Sequence, residues 1–77
     1  MTLDELPVGR RAVVLAMENQ GSLRRRLRDL GLIEGTLLSC LGHSPLGDPS
    51  AYAVRGAAIA LRREDSGRIM IRMEEGE

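Results

Sequence analysis

The chain contains no lysine, phenylalanine or tryptophan, and tyrosine, cysteine and histidine occur once each, as Tyr52, Cys40 and His43. A lone cysteine cannot close an internal disulfide, which points to a reducing compartment. A lone histidine leaves no serine or cysteine nucleophile with both a base and an orienting group, so no enzymatic role is expected. Only Tyr52 could stack on a base, which disfavours a binding platform for single-stranded nucleic acid. No apolar run approaches the roughly 20 residues of a membrane-spanning helix. The opening Met-Thr-Leu-Asp-Glu is acidic where a secretion signal is basic, so a cytoplasmic location is expected.

What remains is aliphatic and rich in arginine. At 77 residues the chain is near the lower size at which an apolar core suffices without metals or disulfides. Leu, Val, Ile, Ala and Met must fill that core, and short branched side chains of this kind suit a small barrel or sandwich. All 11 basic residues are arginine, and 11 acidic residues balance them to a formal net charge of zero, so nonspecific attraction to nucleic acid is not the default. The charge is uneven: Ser22 to Thr36 carries four arginines against Asp29 and Glu34, while Glu74, Glu75 and Glu77 make the last four residues acidic.

Local signals divide the chain into short elements. Thr2 and Glu5 have capping-box spacing, predicting one helical turn over Leu3 to Leu6, stopped by Pro7-Val8-Gly9. A first strand is expected over Arg11 to Met17, ended by the turn cluster Glu18-Asn19-Gln20-Gly21. Ser22 is the expected N-cap of a short helix in which Leu23, Leu27 and Leu30 form one apolar stripe. Gly31 and Gly35 are the turns that lead into a second strand, Thr36 to His43, with Leu38 and Cys40 inward. Pro45, Gly47 and Pro49 make a rigid turn around Leu46 and Asp48. Ala51 to Val54 and Ala57 to Leu61 form a hairpin through Arg55-Gly56, Arg63 to Gly67 is a polar connection, and Arg68 to Met73 is a fifth strand. Five short strands with one helix between the first two predict a mainly β, five-stranded small barrel over residues 1–73, followed by an acidic tail, 74–77, expected to be disordered.

The segments Leu6-Pro7-Val8-Gly9, Leu27-Arg28-Asp29-Leu30-Gly31-Leu32, Gly35-Thr36, Pro45-Leu46-Gly47-Asp48-Pro49, Val54-Arg55-Gly56 and Leu61-Arg62-Arg63-Glu64, with Ile69 and Ile71, follow one another in this order. In these the chain resembles the ferrous iron transport protein A (FeoA) family over nearly its whole length. The resemblance implies an SH3-like barrel and an accessory role beside FeoB, the membrane ferrous iron permease with a cytosolic GTPase domain. A related barrel forms the C-terminal domain of iron-dependent and manganese-dependent repressors, but this chain has no room for the helix-turn-helix that reads DNA there. A stand-alone regulatory barrel, or one associated with nucleic acid, is the alternative, although stable nucleic-acid binding is not expected. Gly42 and His43 depart from the pattern and suggest a bulge at the end of the second strand.

Candidate partner-binding residues are Arg24, Arg25 and Arg28 on the helix and Leu46 and Asp48 in the rigid turn. Three arginines, Arg24 to Arg26, open the helix, where the macrodipole disfavours positive charge by about 0.3–1 kcal/mol each. They are either a solvated face, with Arg25 pairing to Asp29, or a patch for an acidic partner or a phosphate. Leu46 either folds back over the barrel mouth, the favoured reading, or is offered to a partner. Asp48 is expected to bond nearby backbone amides. Gly31, Gly35, Gly47 and Gly56 are assigned structural turn roles. Cys40 and His43, three apart on a strand, point to opposite faces unless a bulge intervenes, so neither a metal site nor a cofactor is expected. Exposed strand edges leave self-association open.

Overall fold

The computed structural model describes residues 1–75. A 3₁₀ turn at Leu3–Glu5 precedes β1 (Arg11–Met17), α1 (Gly21–Asp29), β2 (Leu37–His43), β3 (Ser50–Val54), β4 (Ala57–Leu61), a helical turn α2 (Arg63–Ser66) and β5 (Ile69–Met73). The five strands form one antiparallel sheet in the order β4-β3-β2-β1-β5, curled into the small barrel that the strand count and the family resemblance implied. Glu74 continues past β5, donating its N–H to Arg11 O at 2.8 Å and pairing with the Arg11 guanidinium at 2.9 Å. The acidic tail extends to Gly76 and Glu77, which lie outside the described residues.

Curvature comes from two bulges. Opposite β5, the register of β1 slips between Val14 and Ala16, and opposite β3 that of β2 slips between Cys40 and Gly42, where a bulge was anticipated from Gly42 and His43. Each adds one residue, Leu15 and Leu41, and each of these is 51% exposed. The bulge lets β1 bury Ala12 and Val14 before it and Met17 after it, which strict alternation would not allow. The core is aliphatic apart from Tyr52 and Cys40: Leu3, Leu6, Val14, Leu27, Leu32, Leu38, Val54, Ile69 and Ile71 are essentially sealed from solvent.

Two local readings are corrected. Ser22 is the second helical residue rather than the N-cap, because Gln20 holds the cap position and Gly21, at φ +69°, starts the helix earlier. Asn19 sets this entry: it is 2% exposed and its Nδ2 donates to Asp65 O at 3.0 Å, anchoring the chain before the helix. The stretch Arg63 to Gly67 is not merely a polar connection, since it contains α2 and buries Ser66.

Candidate docking surface

Helix α1 exists because Leu27 fills the core with Leu23 packed beside it. Leu30, expected on the same stripe, is 40% exposed, since the helix ends there and turns away from the sheet. The end is a Schellman motif: Leu32 N–H donates to Leu27 O and Gly31 N–H to Arg28 O, both at 2.9 Å, and Leu27 and Leu32 are buried together. Gly31 sits at φ +94°, and its carbonyl accepts both the Thr36 hydroxyl at 2.9 Å and Arg55 Nε at 3.2 Å. Gly35 and Gly47 also have positive φ, at +91° and +87°.

The helix arginines divide by direction. Arg24 turns back to the end of β1, where its Nη1 donates to Met17 O at 3.0 Å and lies 3.4 Å from Asn19 O. That bond offsets the dipole penalty of a cation in the first turn and makes Arg24 a tie between helix and sheet. Arg28 shares its side of the helix with Arg24, beside Met17, Leu32, Ile33 and Glu34. Arg26 faces the other way, over a groove of about 480 Å³ between α1 and β4 that also reaches Arg62 and Asp65. The Arg25–Asp29 pair that a solvated face would carry does not form: among the described residues the ion pair is Arg11–Glu74.

The turn after β2 is held by Gly47 N–H to Ser44 O at 2.7 Å and Ser44 N–H to Pro49 O at 3.0 Å, with a cis Asp48–Pro49 bond. Leu46 at its tip is 94% exposed, so the favoured burial over the barrel mouth is overturned: the two turn bonds hold its backbone out from the sheet. Asp48 reaches a backbone amide, but a distant one, accepting the Arg63 N–H at 2.9 Å and so serving the start of α2. Helix α2 is thereby pinned at its start by the Leu46 turn and at Asp65 by Asn19, which links the two regions carrying the candidate residues. Sequence reasoning missed Asn19 and Arg55. The only signals were a polar residue inside a turn cluster and an arginine before the hairpin glycine.

Cys40 and His43 do not meet. Cys40 is 1% exposed in the core, where burial pushes its thiol pKa up, and it pairs across the sheet with Tyr52. His43 is exposed, its Nδ1 2.6 Å from Ser50 Oγ. Among the described residues no group of three or more His, Cys, Asp or Glu side chains is placed to hold a metal ion. What the surface offers is exposed arginines, a projecting leucine and a groove lined by polar and apolar groups together.

Residues 1–73 match the FeoA domain family. The chain is 33% identical over 73 residues to the Fe(2+) transport protein A/Fe(2+) transporter FeoB fusion protein of Porphyromonas gingivalis (strain ATCC BAA-308 / W83), a match spanning 95% of this chain and 9% of that protein. The solution structure of FeoA from Chlorobium tepidum superposes with a TM-score of 0.93 at 38% identity, covering 100% of this chain and 73% of that one. The zinc-complexed FeoA of Stenotrophomonas maltophilia, described as a prokaryotic SH3 domain protein, superposes with a TM-score of 0.80 at 32% identity, covering 94% and 89% of the two chains. Domain match, sequence relative and barrel agree over nearly every residue, and the chain belongs to the FeoA family.

Proposed function

We propose that this protein is an accessory factor of ferrous iron uptake that works by binding a FeoB-type permease with a GTPase domain, at the cytoplasmic face of the membrane. The observation that carries the reading is the fusion: in the Porphyromonas gingivalis relative, a stretch similar to this chain shares one polypeptide with a FeoB transporter. Fusion makes the encounter of two domains intramolecular, which is useful only where the domains act together. No helix among the described residues is long and apolar enough to cross a membrane, so contact with a membrane permease would be made through its soluble parts.

Arg25 and Arg28 are exposed and without ion pairs among the described residues, and Leu46 projects from a braced turn. These suit an acidic and partly apolar partner surface. In a titration against detergent-solubilised permease, binding is expected to weaken as salt rises, because exposed charge pairs are screened within about 10 Å at 0.1 M. Arg25→Glu with Arg28→Glu should weaken it about tenfold, two exposed pairs being lost and replaced by repulsion. Arg24 is left in place because it ties α1 to β1. Leu46→Asp should weaken binding with an unchanged circular dichroism spectrum. Absence of binding by the unmodified protein in every nucleotide state would overturn the reading.

A further inference from the structure

The two edges of the sheet are finished differently. Beyond β5 the chain's own start continues the ladder: Ile71 N–H donates to Met1 O at 2.8 Å, and Thr2 bridges Met70. Beyond β4 no strand pairs among the described residues. Free edges are normally blunted by charge, proline or a bulge. β4 has none of these: it reads Ala-Ala-Ile-Ala-Leu, and its register with β3 runs unbroken from Val54↔Ala57 to Ser50↔Leu61.

That register says which backbone groups are free. Arg55 and Gly56, at φ +51° and +84°, make a two-residue hairpin turn, so Val54 and Ala57 exchange both hydrogen bonds. Alternation then turns the amides of Ile59 and Leu61 toward β3 as well. The N–H and C=O of Ala58 and Ala60 point the other way, into the open edge. Beside that edge lies the groove of about 480 Å³, within the size range of ligand-binding clefts. Its lining is mixed and more polar than apolar: Leu23, Leu30 and Ile59 supply the apolar part, while Arg26 and Arg62 against the single carboxylate of Asp65 make its rim net positive.

We infer that the β4 edge takes up an extended segment of the permease as an added strand, with the main chain on Ala58 and Ala60, alternate apolar side chains in the α1–β4 groove, and carboxylates on Arg26 and Arg62. This rests on the permease-binding reading and assigns it a second contact surface. Strand addition derives affinity from main-chain bonds and selectivity from the pockets that alternate side chains enter. The positive rim selects an acidic segment over a second copy of this neutral chain, whose own β4 is flanked by Arg55 and Arg62.

The test is titration of the FeoB-type permease in detergent, combined with amide hydrogen exchange. Ala58→Pro removes a donor that faces outward and leaves the β3 ladder intact, a substitution that edge strands tolerate. It should weaken binding at least about tenfold, the weight of a lost hydrogen bond and its neighbour. Arg26→Glu with Arg62→Glu, remote from the core, should do the same. In the free protein the Ala58 and Ala60 amides should exchange rapidly and the Ile59 amide slowly, and permease should protect the first two. Wild-type binding by folded Ala58→Pro and by the arginine pair, with Ala58 and Ala60 still unprotected, would overturn the strand-addition inference and leave the permease reading standing. Protection of the same amides without permease, in step with dimer formation, would overturn it in favour of self-pairing. Failure of the unmodified protein to bind permease would remove both.

Discussion

Gly31 shows how one residue couples three elements. Its positive φ closes α1, and its carbonyl collects the Thr36 hydroxyl and Arg55 Nε, joining the helix end to β2 and to the β3–β4 turn. A side chain there meets strain from the backbone and a clash: a Cβ would lie 2.5 Å from Arg55 Cδ. Gly31→Val should therefore destabilise by about 1–3 kcal/mol from the backbone conformation alone. Gly31→Ala should cost measurably less in an Arg55→Ala background than in the native one, because removing Arg55 removes the clash but not the strain. Equal costs in both backgrounds, read from urea midpoints, would show that Arg55 yields freely. Gly56 has the matching role in the hairpin, where the preceding Arg55 already occupies positive φ at 51°.

At the scale of elements, short pieces are held by single side chains from far along the chain. Helix α2 has only four residues and no side-chain bond from its own N-cap, Arg62, yet it is ordered because Asp48 accepts its first amide and Asn19 holds Asp65 O. Asp48→Ala should cost about 0.5–2 kcal/mol, the range for a lost helix cap. Asp48→Asn, which keeps an acceptor oxygen, should recover most of it. Faster amide exchange in α2 and in the Leu46 turn together would accompany the Ala variant, since the bond braces both. Unchanged thermal midpoints for Asp48→Ala would remove the brace from the account. Helix α1 is tied in the same manner, by Arg24 on Met17 O. Because the helix starts at Gly21, Arg26 with Arg28 falls in its last turn, where the macrodipole favours positive charge, and not in the opening turn expected for it.

For the molecule as a whole, stability rests on an aliphatic core with two acidic protons inside it. Burial pushes the Cys40 thiol above its ordinary 9.0 and the Tyr52 phenol above its ordinary 10.0. Tyr52 is 1% exposed, with its hydroxyl 3.4 Å from Leu3 O. A raised folded-state pKa on an acid means that the unfolded chain loses its proton first. The stabilising contribution is complete below the unfolded value and falls away as pH climbs through the folded one. Urea midpoints should hold steady up to about pH 9 and decline above it. Cys40→Ala should flatten the first part of that decline and Tyr52→Phe the later part. An unaltered alkaline slope in both variants would place the titrating groups elsewhere.

The local grammar of this chain was legible in its residues. Turn glycines, the apolar runs of β1 and β2, the alternation of β5 and the Arg55-Gly56 hairpin depend on neighbours a few positions apart, and those preferences survive folding. The order of the segments was enough to point to the FeoA family, and hence to the barrel. The tertiary structure alone decided which side chains are already engaged. Arg24 read in sequence as a helix-face cation, Asp48 as a partner of nearby amides and Arg55 as a hairpin residue, yet each is bonded to backbone 7, 15 or 24 residues away, a distance over which no local propensity acts. Leu46 read as a plug and stands in solvent, because burial is set by the path of the whole turn and not by hydrophobicity. Strand order, too, is a property of long-range pairing. That β4 is the uncovered edge, with Ala58 and Ala60 turned outward beside α1, follows from which strands found each other and from the chain's first residues closing the opposite side.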